Sequence, residues 1–237
     1  MVRFIILMSW GRVGSNLLVH IIGQSRTASL GNERFNTLRT LPEQVAWYES
    51  HYGSPSPGHT IIGTKENVLT LADRGFWADR FRADGLRIIR MRRDNIVKAA
   101  VSQMRAQAYA ALTKQRDGRA RWAVRRGEEP LGPIPLDPTV LLQRVARMSR
   151  AREVLMRLFR EDEVLDIEYE RLVADLPGTV SAVRSLLGIP VEARFDVPYV
   201  KATPDDLRAA VRNYDEVSAA LRAAGYGAML EEGATAP

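Results

Sequence analysis

The stretch from Phe4 to Ile22 constrains the fold more than any other, because an apolar run, a glycine-bearing turn and an amphipathic segment follow one another without interruption. Phe4 to Met8 is apolar throughout, as expected of a parallel strand buried on both faces, and Leu17, Leu18, Ile21 and Ile22 recur at the spacing of one helical face. Between them lies Ser9-Trp10-Gly11-Arg12-Val13-Gly14-Ser15-Asn16. A loop so placed sits at a helix N-terminus, where unpaired backbone N–H groups and the positive end of the helix dipole converge and where glycine lets an anion approach the backbone. A phosphate or sulfate fits such a corner. The rest of the chain alternates short apolar strands with longer helical stretches, and its 237 residues suit one large domain. The expected fold class is therefore α/β, a three-layer sandwich around a central parallel sheet. One domain over residues 1–232 with a frayed tail at 233–237 is the expected organisation.

The spelling of the turn matters as much as its place. The phosphate loop of ATP and GTP enzymes reads G-x-x-x-x-G-K-[ST]. Here Gly14 is followed by Ser15 and Asn16, and the nearby cation, Arg12, precedes the second glycine. Basic residue, any residue, Gly, Ser or Thr and then a helix resembles instead the 5′-phosphosulfate loop of sulfotransferases that use 3′-phosphoadenosine 5′-phosphosulfate (PAPS). The plain alternative is an ordinary strand-to-helix turn with a solvated Arg. A second segment, Leu86 to Asn95 followed by a helix carrying Ser102, is similar to the family's strand end and helix whose Arg and Ser bind the 3′-phosphate. A helix opening at Asp94 or Asn95 places Ser102 about two turns in, on the order of 10 Å along the axis. Arg93 pairs with Ser102 in this reading; the commoner cytosolic enzymes have one residue fewer between the pair, which keeps Arg92 as the alternative ligand.

Gly31-Asn32-Glu33-Arg34-Phe35 resembles the glycine, glutamate and aromatic residue that bacterial trehalose and nodulation-factor sulfotransferases carry at this distance, and the resemblance implies that Glu33 is the general base. The chemistry agrees: a sugar or alcohol hydroxyl is a poor nucleophile at neutral pH, and a carboxylate within hydrogen-bond reach can take its proton as the S–O bond forms. Histidine does this in aryl and steroid enzymes, but His20, His51 and His59 lie in no supporting motif. Lys65 follows the strand candidate Thr60 to Thr64, at the carboxyl end where open α/β sheets bind ligands, and resembles a family lysine that neutralises charge on the bridging oxygen. Lys201 resembles the lysine of a late loop that adds a contact to the 3′-phosphate. After it, Thr203, Pro204 and Asp206 spell a helix start that should run through Asn213 and Tyr214.

The resemblance, strongest at residues 4–35 and 86–105, implies a P-loop-like sulfotransferase fold and sulfuryl transfer to a carbohydrate, glycolipid or natural-product hydroxyl. It assigns Arg12, Val13, Gly14, Ser15 and Asn16 to the phosphosulfate, Arg93, Ser102 and Lys201 to the 3′-phosphate, and catalysis to Glu33, Arg12 and Lys65. It implies no metal, and some relatives form homodimers. The runner-up readings are a P-loop kinase-like phosphotransferase and a catalytically inactive nucleotide-binding protein.

Composition bounds these readings without choosing among them. A net charge of +6 suits an anionic cosubstrate, yet the basic residues are spread over many helices without aromatic interleaving, so no nucleic-acid partner is expected. With no cysteine there is no disulfide framework and no thiolate chemistry. No run approaches the roughly twenty apolar residues of a membrane span, and the first apolar run is too short for a signal-peptide core, so a cytoplasmic enzyme is expected. Residues 112–137 break the helical pattern with charge, glycine and proline and read either as a mobile substrate lid, in which Trp122 could stack on an acceptor or close over the cofactor, or as a solvated loop. Pro138 to Arg160 then reads as a long helix, and Val164 to Leu172 as a late strand with its following turn.

Overall fold

The computed structural model describes residues 1–54, 57–190 and 195–231. The tail expected to fray, 233–237, lies outside the described residues, as does position 232 at the expected domain end. In chain order the elements are β1 (Val2–Met8), α1 (Ser15–Gly23), β2 (Ala28–Asn32), α2 (Leu41–Gly53), β3 (Ile61–Asn67), α3 (Arg74–Ala83), β4 (Arg87–Arg92), α4 (Ile96–Asp117), α5 (Pro138–Leu158), β5 (Val164–Glu168), α6 (Tyr169–Ala174), α7 (Leu176–Leu187) and α8 (Tyr214–Ala223). The chain forms two compact units, one of residues 1–92 and 150–196, the other of residues 93–149 and 197–237. Among the described residues no helix is long and apolar enough to cross a membrane.

The first unit is an α/β layer structure. Its five strands are ordered β2-β3-β1-β4-β5, and every neighbouring pair is parallel. Period-two alternation along β1 sends Phe4, Ile6 and Met8 to one face and Ile5 and Leu7 to the other, and both sets are buried. On the first face Leu18 and Ile22 of α1, Leu172 of α6 and Val183 and Leu187 of α7 complete the core. On the second, Tyr48 and Tyr52 of α2, Trp77 and Phe81 of α3 and Leu155 of α5 do so. The sheet is thus covered by helices on both sides, which is why its strands read as unbroken apolar runs. The register sets Phe4 opposite Gly63, where a Cβ would lie 2.2 Å from the Phe4 ring, so only glycine fits. β1 is central and the chain moves to β2 and β3 on one side and to β4 on the other. The loop after β1 therefore opens at the switch point, where sheets of this kind bind ligands.

Residues 28–32 form a strand, β2, which the sequence reading did not include; it pairs with β3 in the register Ala28↔Ile61 to Asn32↔Lys65. Two expectations about elements need correction. Residues 112–117 belong to α4, which continues to a Gly118 cap in the left-handed region, so the irregular stretch begins at 118. The helix expected from Pro204 does not form. Asp206 caps only a short turn at Leu207–Ala209, and α8 starts at Tyr214. The reason is backbone pairing elsewhere: the Ala210 carbonyl accepts from the Ile134 N–H at 3.2 Å and the Arg212 N–H donates to the Ile134 carbonyl at 2.9 Å, which removes both from a helical ladder. α7 follows expectation, with proline in its first turn and left-handed Gly188 at its end.

Candidate functional site

The loop after β1 is built to bring amides to one point. Arg12 (φ 72°) and Gly14 (φ 80°) both lie in the left-handed region, and α1 starts directly after Gly14 with no side-chain cap. Its first-turn N–H groups thus face outward for solvent or an anion. A Cβ on Gly14 would fall 2.5 Å from Leu172 Cδ2 and 3.3 Å from Tyr169, so the turn rests against the start of α6 and both its φ and its packing require glycine. Val13 is buried in the core beneath it. The Ser15 hydroxyl is buried and donates to Met8 Sδ at 3.3 Å, a weak bond.

Lys65 is not a strand-end residue, as expected, but lies inside β3, and its side chain is 1 % exposed. Its ammonium is 2.7 Å from Glu33 Oε1 and also donates to Asn16 Oδ1 in the first turn of α1. Glu33 follows β2 directly. Its φ of 50° turns the chain, its N–H donates to the Lys65 carbonyl at 2.6 Å, and its Oε2 accepts from Asn36 Nδ2 at 2.8 Å. One buried cation thus joins Asn16, which follows Gly14 and Ser15 in the first turn of α1, to Glu33. Burial excludes the ordinary reading of Lys65 as a surface lysine, while Glu33, 34 % exposed, is held by its bond to that ammonium.

Glu66, the next residue of β3, was not singled out from sequence. It is fully buried and accepts from the N–H of Arg34 and of Phe35, each at 3.0 Å, and from the Thr64 hydroxyl at 2.9 Å. Burial pushes its carboxyl up to about 7, against the pull of those three bonds, and the charge of Glu33 adds to the rise. Successive strand residues point to opposite faces, so Lys65 holds the Glu33 side chain while Glu66 holds the two amides that follow it. Two adjacent charges at the end of an apolar strand are the signal that could have marked Glu66.

Of the three histidines, His51 is held in the packing of α2 against β3. His51 stacks on Trp47 with ring centroids 4.7 Å apart and bonds the Gly63 carbonyl at 3.1 Å, and burial lowers its pKa. Arg92 is committed to two carboxylates, 3.1 Å to Asp166 Oδ2 and 3.0 Å to Glu168 Oε2.

Within the second unit, Asn95 caps α4 by accepting from the Lys98 N–H at 2.9 Å, and Arg93, Lys98 and Ser102 are all buried. Lys201 pairs with Asp205. Its hydrogen bond holds the Asp205 carboxyl below its ordinary range against the effect of burial, and the charges of Lys98 and Arg93 lower it further. Ser102 and Thr203 line a small cavity with Arg105, Tyr109 and Trp122, and the buried Thr203 hydroxyl has no partner. Arg105 stands behind it, its guanidinium donating to the carbonyls of Leu131 (2.5 Å), Ala210 (2.7 Å), Gly132 (2.9 Å) and Ala202 (3.4 Å). The stretch expected as a lid is tied down at several points, among them Glu128, which accepts from Tyr109, Arg121 and Arg125. Trp122 is 51 % exposed. Among the described residues no three His, Asp or Glu side chains gather as a metal-binding group.

No protein-family model and no curated protein matches the chain. Solved structures similar to it include a sulfotransferase from Alicyclobacillus acidocaldarius, at 16 % identity and a TM-score of 0.47 over 94 % of this chain and 96 % of that one. The sulfotransferase domain from the curacin biosynthetic pathway aligns at 13 % identity and a TM-score of 0.45 over 81 % of this chain and 76 % of that one. Mouse sulfotransferase SULT7A1 complexed with PAP aligns at 15 % identity and a TM-score of 0.41, over 81 % of this chain and 61 % of that one.

Proposed function

We propose that this chain is a PAPS-dependent sulfotransferase that moves a sulfuryl group to a hydroxyl of a carbohydrate, glycolipid or natural product. The observation that carries the reading is the buried Lys65 ammonium, shared between Asn16 at the mouth of the anion loop and the Glu33 carboxylate. A base and an anion cradle linked by one desolvated cation suit transfer of an anionic group to an oxygen nucleophile. In this reading the α1 helix mouth and Arg12 take the phosphosulfate, and Arg93, Ser102 and Lys201 take the 3′-phosphate. Arg93 is preferred to Arg92, whose guanidinium already holds Asp166 and Glu168.

PAPS supplies the activated sulfuryl group and leaves as adenosine 3′,5′-bisphosphate. Glu33 takes the proton of the acceptor hydroxyl at a carboxylate oxygen as the new S–O bond forms. Lys65 keeps that carboxylate placed and sets a positive charge beside the loop. The amides after Gly14 are preorganised donors, and Arg12 adds positive charge beside the transferred group in this scheme. No residue of the chain forms a covalent intermediate in this scheme. A kinase-like phosphotransferase is less well supported, because Ser15 stands where the phosphate loop places its lysine.

The test is incubation with PAPS labelled in its sulfate and a panel of sugar, glycolipid and natural-product alcohols. Label should appear on an acceptor in step with adenosine 3′,5′-bisphosphate. Label that stays on PAPS with every acceptor would contradict the reading.

A further inference from the structure

The basic cluster of the second unit contains a residue pair that the reading above does not use. Lys98 lies in the first turn of α4, four residues before Ser102 and hence on the same helical face. It is only 8 % exposed, and among the described residues its ammonium makes no ion pair. Asp205, by contrast, is exposed and bonded by Lys201 four residues before it. Thr203, between Lys201 and Asp205 in the chain, keeps a buried hydroxyl without a partner beside Ser102. A mostly buried lysine on the Ser102 face, an orphan hydroxyl beside Ser102 and an exposed carboxylate held by Lys201 describe an anion site closed by the protein's own anion.

We propose that Lys98 is a further ligand of the donor's 3′-phosphate and that Asp205 is the counter-ion that phosphate displaces, so that the two residues set selectivity for nucleotides bearing a 3′-phosphate. The proposal rests on the PAPS reading. A carboxylate carries one charge and two acceptor oxygens; a phosphate monoester carries up to two charges and three oxygens, enough to take over Lys201 while reaching Lys98 and the Thr203 hydroxyl. A nucleotide without that group leaves Lys201 paired with Asp205 and gains nothing from Lys98. The shift of the Asp205 carboxyl by Lys98 and Arg93 is consistent with this placement.

The experiment titrates wild type, Lys98→Met and Asp205→Asn with adenosine 3′,5′-bisphosphate and, in parallel, with adenosine 5′-monophosphate. For the bisphosphate, Asp205→Asn should tighten binding roughly fivefold, as removal of an exposed competing pair allows. Lys98→Met should weaken it by about tenfold or more, as expected for loss of a partly desolvated charge-assisted contact. The monophosphate should bind all three proteins alike. If wild type does not prefer the bisphosphate, the PAPS reading itself fails and takes this proposal with it. If wild type prefers it and neither variant changes the ratio of the two affinities, only the assignment of Lys98 and Asp205 is overturned. Lys98→Arg separates lost charge from lost packing: it should recover most of the affinity, and an affinity as low as that of the methionine variant would count against a ligand role.

Discussion

The ammonium of Lys65 lies 2.7 Å from Glu33 Oε1, with the lysine side chain 1 % exposed and the glutamate 34 % exposed. One end of this pair is fixed in the sheet and the other faces the solvent side, where a second molecule can reach it. The same ammonium bonds Asn16, so a change in either partner is felt at the loop after β1.

Replacing Glu33 with Gln should lower kcat by about two to four orders of magnitude, the range of a lost general base, with affinity for adenosine 3′,5′-bisphosphate near normal. Lys65→Met should lower both, because it leaves Asn16 and Glu33 without their common partner. Steady-state kinetics beside a binding titration separates the two outcomes, and full turnover in Glu33→Gln would remove Glu33 from the role.

Glu66 makes stability depend on pH in a stated direction. Its carboxyl is raised from 4.5 to about 7 in the folded chain, so the folded state holds this proton more tightly than the unfolded chain does. The stabilisation from that proton is fully present below pH 4.5 and is lost as pH rises through about 7. A shift of this size corresponds to on the order of 3 kcal/mol. The difference in Tm between wild type and Glu66→Gln should therefore fall steadily from pH 5 to pH 8. A difference that stays constant across this range would contradict the assignment.

Gly14→Ala should be costly on two counts, φ of 80° and a Cβ 2.5 Å from Leu172. A loss of about 1–3 kcal/mol is expected, with weakened binding of adenosine 3′,5′-bisphosphate, since the turn that aims the α1 amides must move. Thermal unfolding and titration of the same variant check both.

Gln44, fully buried on α2, provides a control away from the loop. Its amide donates to the carbonyls of Leu38 (3.0 Å) and Thr70 (2.7 Å) and accepts from the Ala72 N–H (3.1 Å) and the Trp77 indole (2.9 Å). Gln44→Leu strands all four groups, and a loss of roughly 3 kcal/mol or more is expected, with affinity for adenosine 3′,5′-bisphosphate unchanged in the protein that still folds.

The parts of the fold written in local pattern were legible. The apolar run of β1, the face of α1, the start of α4 at Asn95 and the bracketing of α7 by Pro177 and Gly188 all follow from period and cap chemistry. β2 was not, because Ala-Ser-Leu-Gly-Asn has little strand propensity of its own and is held by pairing with β3. The burial of Lys65 and Glu66 was equally invisible, since a charge enters a core only when a distant residue answers it, and Glu33, Asn16 and the amides of Arg34 and Phe35 come from other segments. Thr203 and Asp206 show the converse: cap spelling is present, but Ile134 takes the backbone groups the helix would need.

Calorimetric titration with adenosine 3′,5′-bisphosphate, run beside ATP and ADP at the same salt, tests whether the chain binds a PAPS-type donor. A strong preference for the bisphosphate is the predicted result. Preference for ATP, or no binding of any of the three, would contradict the account.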